Sequence, residues 1–120
     1  MQIRIIGSAK SKDTRKADRF FRERGYRPHV LDVRKGKIAP GELRRFVKKF
    51  GQERLINRES PQYISRGLAY LKLTEKELLE VLLEEPNLLV QPLVAAGGIL
   101  DLGWDESFWR VWHQDEVGRL

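Results

Sequence analysis

The sequence has no cysteine in its 120 residues. That excludes disulfides and thiol redox chemistry, and the absence falls where a thiol pair would be expected. An apolar start (Ile3, Ile5, Ile6) and Gly7 lead into Ser8-Ala9-Lys10-Ser11-Lys12-Asp13-Thr14-Arg15-Lys16-Ala17. A strand, a tight turn and a helix carrying a pair at i, i+3 is the layout of a thiol redox motif. Here the pair is Ser11 and Thr14. A thiol at a helix N-terminus ionises near neutral pH and becomes the nucleophile; an alcohol there stays protonated.

Other absences narrow the field further. No stretch approaches the ~20 apolar residues of a membrane span, so no membrane partner is expected. Charge arrives early, at Arg4, Lys10 and Lys12, and leaves no apolar signal-peptide core, so the expected compartment is cytoplasmic. His29 and His113 lie far apart without partner residues, so neither a metal site nor a cofactor is expected. No internal repeat or low-complexity tract is visible.

What is present fits one domain over residues 1–120. A chain of this length buries roughly 65% of its unfolded surface and needs no disulfide or metal to hold it. Apolar residues make up 41% and charged residues 33%. The net charge of +6 hides an asymmetry: residues 1–60 carry 18 Lys/Arg against 7 Asp/Glu, and residues 61–120 carry 5 against 10. An anionic partner would be drawn to the first half.

Alternation predicts a strand over residues 2–6. Residues 12–24 read as a helix with Ala17, Phe20, Phe21 and the stem of Arg24 on one face, closed by Gly25. Residues 28–33 read as a second strand, making a right-handed βαβ unit. Pro40 suits a first helical position, Leu43, Phe46, Val47 and Phe50 follow helical spacing, and Gly51 ends that run. A helix is expected over residues 61–68. Thr74-Glu75-Lys76-Glu77 is a capping-box pattern opening another, which Pro86 stops. Residues 92–96 and 99–102 around Gly97-Gly98 read as a β-hairpin. Asp105 caps a last helix through Trp112, with Phe108, Val111 and Trp112 expected to face inward. Three tryptophans and Phe108 in that stretch are core at helical spacing, with one tryptophan left exposed as an interface marker. The order predicts an α/β fold: a thioredoxin-like β-α-β…β-β-α mixed sheet. Its core is residues 1–38 and 90–120, and its helical insert, 39–89, lies between the second and third strands.

The residues resemble the arsenate reductase/Spx (ArsC-like) family of thioredoxin-fold, glutaredoxin-like proteins. The resemblance rests on Gly7 followed by Ser11 at the family cysteine position, and on Arg15-Lys16-Ala17. It continues through Leu55-Ile56-Asn57-Arg58 and the run from Glu85 to Val94, which is similar to the family's Glu-x-Pro-x-Leu-x-x-Arg-Pro-Leu-Val. In arsenate-reducing members a cysteine thiolate attacks arsenate and arginines hold the oxyanion. By position the nucleophile site is Ser11, the second thiol position of Spx-type members is Thr14, one arginine is kept as Arg58, and another is Gln91. A further family arginine has no match near Gly103. The resemblance also implies a cis peptide at Gln91–Pro92, which would shape a groove beside the Ser11 loop.

The candidate sites follow. Ser11, Gln91 and Pro92 would form a residual pocket, and the amides of residues 8–14 would draw an anion there. The alternative is that Ser11 or Asp13 only caps the helix. Lys12, Arg15, Lys16, Arg19 and Arg22 line up on the helix face opposite Phe20 and Phe21, as a stripe for an acidic protein or nucleic acid. The alternative is a solvated face with Asp18–Arg22 and Arg19–Glu23 pairs. Arg44, Arg45, Lys48 and Lys49 form a second basic group. No aromatic residues interleave the charges, which disfavours single-stranded nucleic acid. Arg58 binds an anion or pairs with Glu53 or Glu59. The expected function is a non-catalytic binding or regulatory module acting through the basic face, its partner an acidic protein, with nucleic acid the weaker alternative; the resemblance to Spx-type members implies a component of the transcription machinery as that partner. The alternative is a glutathione or oxyanion binder, arsenate reductase-like, using the residual pocket without its own thiol. A monomer or a weak dimer through the tail helix is expected.

Overall fold

The computed structural model describes residues 1–119. Four strands form one sheet: β1 (Ile3–Gly7), β2 (His29–Asp32), β3 (Leu93–Ala96) and β4 (Ile99–Leu102). Their order is β2-β1-β3-β4, with β1 and β2 parallel and the other pairs antiparallel. Six helices accompany them: α1 (Lys12–Glu23), α2 (Pro40–Phe50), α3 (Gln52–Leu55), α4 (Pro61–Ser65), α5 (Glu75–Glu84) and α6 (Glu106–Gly118). This is the thioredoxin-like mixed sheet the sequence predicts, with α2–α5 between β2 and β3.

Alternation along β1 sends successive side chains to opposite faces. Ile3 and Ile5 join Ala17, Phe20 and Phe21 of α1, Val94 and Ala96 of β3, and Trp109 and Trp112 of α6. Ile6 joins Leu43 and Phe46 of α2, Leu55, Leu82, Leu88, Leu93 and Leu100 on the other face. The insert is sewn to the sheet by an antiparallel bridge, Ile56 to Leu89. There the Asn57 N–H donates to the Leu88 carbonyl (2.8 Å) and the Val90 N–H to the Leu55 carbonyl (2.7 Å). Arg4 forks onto Glu42 (2.7 and 3.1 Å), tying β1 to α2, and its guanidinium also meets His29.

Four expectations need correction. The last helix runs six residues beyond Trp112, to Gly118. Its inward residues are Trp109 and Trp112, while Phe108 and Val111 are 42% and 57% exposed. Two indoles remove more apolar area from water than a phenyl ring and a valine, so they set the helix phase. No tryptophan is left exposed; Trp104 is half-buried against Phe20 and Phe21. The helix over 61–68 ends at Ser65, because Gly67 turns left-handed (φ 61°) before a short 3-10 turn at Leu68–Tyr70. The four residues of α3 carry too little periodicity to be foreseen.

Candidate functional site

The loop from β1 to α1 is fastened by its own residues. Ser11 sits in an extended conformation (φ −74°, ψ 123°) as the N-cap of α1, and its Oγ accepts the Thr14 N–H at 3.2 Å. The Ser11 N–H donates to the Ser8 carbonyl (2.9 Å), and Ser8 Oγ accepts the Lys10 N–H (3.1 Å). Gln91 Oε1 accepts the Ser8 N–H at 2.6 Å, linking the loop to the entry of β3, where the Gln91–Pro92 peptide is cis. Thr14 is buried at 2% exposure, and its Oγ1 has no hydrogen-bond partner.

Ser11 and Gln91 share a cavity of about 620 Å³ with Lys10, Arg34, Asn57 and Glu59. Pro92 and Thr14 are not on its wall. Arg58 is not either: it lines a separate cavity of about 320 Å³ within the insert, beside Glu53 and Tyr63. The pocket expected from the sequence therefore comes together only around Ser11 and Gln91, without the arginine. Among the described residues Arg58 makes no ion pair with Glu53 or Glu59 within 4.0 Å.

The charge in the larger cavity is nearly balanced. Arg34 Nη2 pairs with Asp32 Oδ2 at 2.9 Å, and hydrogen bonds from the Arg34 side chain and backbone hold the Asp32 carboxyl down at about 2. Lys10 and Glu59 both line the wall, without an ion pair between them among the described residues. An oxyanion entering here meets no unopposed guanidinium. The Asp32 shift has a sign that can be worked out. A folded-state value below the ordinary 3.8 means the pair adds stability above about 4 and loses it as pH falls toward 2. Carbon-detected NMR is expected to find the Asp32 carboxyl titrating near 2 and returning toward 3.8 in Arg34→Gln; an unchanged midpoint in the variant would refute the pairing.

The basic stripe of α1 lies fully on the surface: Lys12, Arg15, Lys16, Arg19 and Arg22 are all exposed. Two of the five are engaged. Arg15 Nη1 donates to the Ala9 carbonyl (2.8 Å), and Arg22 pairs with Asp18 (2.7 Å), one of the two helix pairs anticipated. Among the described residues Lys12, Lys16 and Arg19 have no ion-pair partner, so the Arg19–Glu23 pair is absent. The second basic group does not extend this stripe. It rides on α2, across the sheet, where Arg45 donates to the Gly97 carbonyl and Lys49 to the Leu100 carbonyl (both 3.1 Å).

Sequence reading missed the walls contributed by Arg34, Asn57 and Asn87. Its own motifs held the available signal. The Leu55–Arg58 and Glu85–Val94 segments meet at the Ile56–Leu89 bridge, and that pairing carries Asn57 and Asn87 to the Ser11 loop.

Comparison with known proteins agrees with this geometry. A model described as the ArsC family matches residues 6–111. The uncharacterised protein YfgD of Escherichia coli (strain K12) is 24% identical over 105 residues, 85% of this chain and 88% of that protein. An arsenate reductase from Vibrio cholerae superposes with a TM-score of 0.75 at 20% identity, covering 85% of this chain and 89% of that one. A protein related to the ArsC family from Bacteroides fragilis superposes at 0.79 with 17% identity, covering 92% and 96%. At these identities the superpositions speak for the fold alone.

Proposed function

The chain belongs to the ArsC family, and from that premise we propose that it works by binding rather than by thiol chemistry, offering the α1 face to an acidic protein surface. The observation that carries this reading is the fate of the family nucleophile position. Ser11 is an alcohol whose oxygen caps α1 through the Thr14 N–H, in a chain without cysteine. Reduction of arsenate or of a disulfide needs a soft sulfur nucleophile that is regenerated through a disulfide or mixed disulfide. Serine supplies neither step. The free cations Lys12, Lys16 and Arg19, with Arg15 and Arg22 beside them, then provide the concentrated, accessible charge on which recognition can act. The resemblance to Spx-type proteins points to a component of the transcription machinery as the partner.

The test is capture at low salt, from a lysate of the organism that makes the protein, followed by a titration of the captured partner. Arg15→Glu/Arg19→Glu is expected to weaken binding about tenfold or more, and the wild-type affinity to fall as salt rises from about 50 to about 300 mM. Equal binding by the reversed variant removes this reading. The cavity of about 620 Å³ at Ser11 favours a second reading, in which glutathione or an oxyanion occupies it beside Lys10. Calorimetric titration with glutathione, arsenate and phosphate decides that one: absence of heat from all three leaves the cavity without such a ligand.

A further inference from the structure

The sheet has two edges, and they are treated differently. The β4 edge is partly covered on its outer side, where Lys49 of α2 donates to the Leu100 carbonyl and Asp101 Oδ1 accepts the Leu102 N–H. The β2 edge has no such cover. Its parallel register on β1, with the Val33 N–H on the Gly7 carbonyl, turns the backbone groups of residues 29, 31 and 33 toward β1. Those of Val30 and Asp32 point away. The Asp32 carbonyl is taken by the Lys35 and Gly36 amides of the following turn (2.9 and 3.0 Å). Among the described residues nothing pairs with the Val30 N–H, the Val30 carbonyl or the Asp32 N–H. An open edge of this kind is a template for another strand, and proteins ordinarily blunt it.

We propose that the β2 edge is a docking site for an extended acidic segment of another protein, which adds as a fifth strand beside Val30 and Asp32. Backbone pairing supplies the binding and the flanking charge supplies the choice of partner. Arg27 before the strand, and Lys35 and Lys37 after it, are exposed and have no ion-pair partner among the described residues. The one carboxylate on the edge, Asp32, is already matched by Arg34. A second copy of this chain is the wrong occupant. Antiparallel pairing of two β2 strands would bring Arg27 of one copy toward Lys35 of the other, and facing like charges are unfavourable. Pro28 has no N–H, and with the turn after Asp32 it closes the edge at both ends, so the guest is a short stretch of about five residues. This surface is distinct from the exposed face of α1.

The experiment uses the full chain, labelled with nitrogen-15. The probe is a blocked peptide alternating threonine or valine with glutamate, compared with its lysine-for-glutamate counterpart. The acidic peptide is expected to shift the Val30 and Asp32 amide signals to saturation, and the lysine peptide to leave them in place. Val30→Pro removes an outward N–H without touching the β1 ladder and is expected to weaken binding about tenfold or more. Lys35→Glu is expected to weaken it several-fold, and it keeps the test intact if the proline variant fails to fold. The proposal is overturned by unmoved Val30 and Asp32 amides, by equal binding of the lysine peptide, or by undiminished binding to both variants. Concentration-dependent shifts of these amides without peptide would assign the edge to a second copy and equally overturn it.

Discussion

Trp109→Ala is expected to cost roughly 3–5 kcal/mol, the range for deleting a large aromatic from a packed core. That is a large share of the ~5–15 kcal/mol that holds a domain folded. Trp109 is fully buried and lies edge-on to Phe21 (ring centroids 5.3 Å) and to Trp112 (5.3 Å). Phe21 in turn meets Phe20, Tyr26, Trp104 and Trp112 at 5.3–6.0 Å, so the cavity would open beside the ring that joins α1 to α6. The melting temperature is expected to drop on the order of 10–20 °C. Trp109→Phe is expected to be milder, because a phenyl ring still fills part of the site and keeps an aromatic edge against Phe21. Phe108→Ala, on the exposed side of the same helix, is the control and is expected to cost under about 1 kcal/mol. Calorimetric melting of the three variants checks the series. A Trp109→Ala loss no larger than that of Phe108→Ala would mean that α6 is not held by its indoles.

The same cluster marks where the sequence stops being readable. Helix α1 was legible throughout, because every signal in it is local. Ser11 caps it, Ala17, Phe20 and Phe21 fall at one face, and Gly25 takes the left-handed conformation (φ 85°) just past its end. The capping box at Thr74 and Glu77 formed for the same reason. The phase of α6 is not set by spacing, which is equal for Phe108/Val111 and Trp109/Trp112; the larger apolar area of the two indoles separates them. The candidate site was half legible. Ser11 and Gln91 meet because the loop amide of Ser8 is held by Gln91, a contact across the sheet that a family motif anticipates. Which arginine turns toward them is a tertiary matter: Arg34 does and Arg58 does not, and nothing in their neighbours' sequence tells them apart. The charge count had a similar limit. The i, i+4 spacing announced the Asp18–Arg22 pair, but the run of cations does not reveal that Arg15 is held by the Ala9 carbonyl, or that the basic side of α2 backs onto the hairpin.

Gly7→Ala is the second large effect, expected to destabilise by about 1–3 kcal/mol or more through overpacking. The position is defined by space and not by a turn. A Cβ on Gly7 would lie 2.3 Å from Thr14 Oγ1, 3.0 Å from its Cγ2 and 3.2 Å from its Cβ. Thr14 has no room to retreat. It is buried, and its backbone N–H is the one that Ser11 caps, so moving it loosens the first turn of α1. Thr14→Ala removes the two nearest atoms, Cγ2 and the buried hydroxyl oxygen that has no partner, and is expected to be close to neutral by itself. The pair should therefore couple: Gly7→Ala/Thr14→Ala is expected to recover about 1–2 kcal/mol relative to the sum of the singles, as contacting residues do. Urea unfolding of the four proteins reads the cycle directly. Additive losses would show that the glycine is needed for something other than the close approach of Thr14. Coupling would fix the cause at the junction where β1 hands the chain to the Ser11 loop. In that case the same substitution should disturb the Ser8–Gln91 contact, visible as a shifted Ser8 amide, before it disturbs the rest of the sheet.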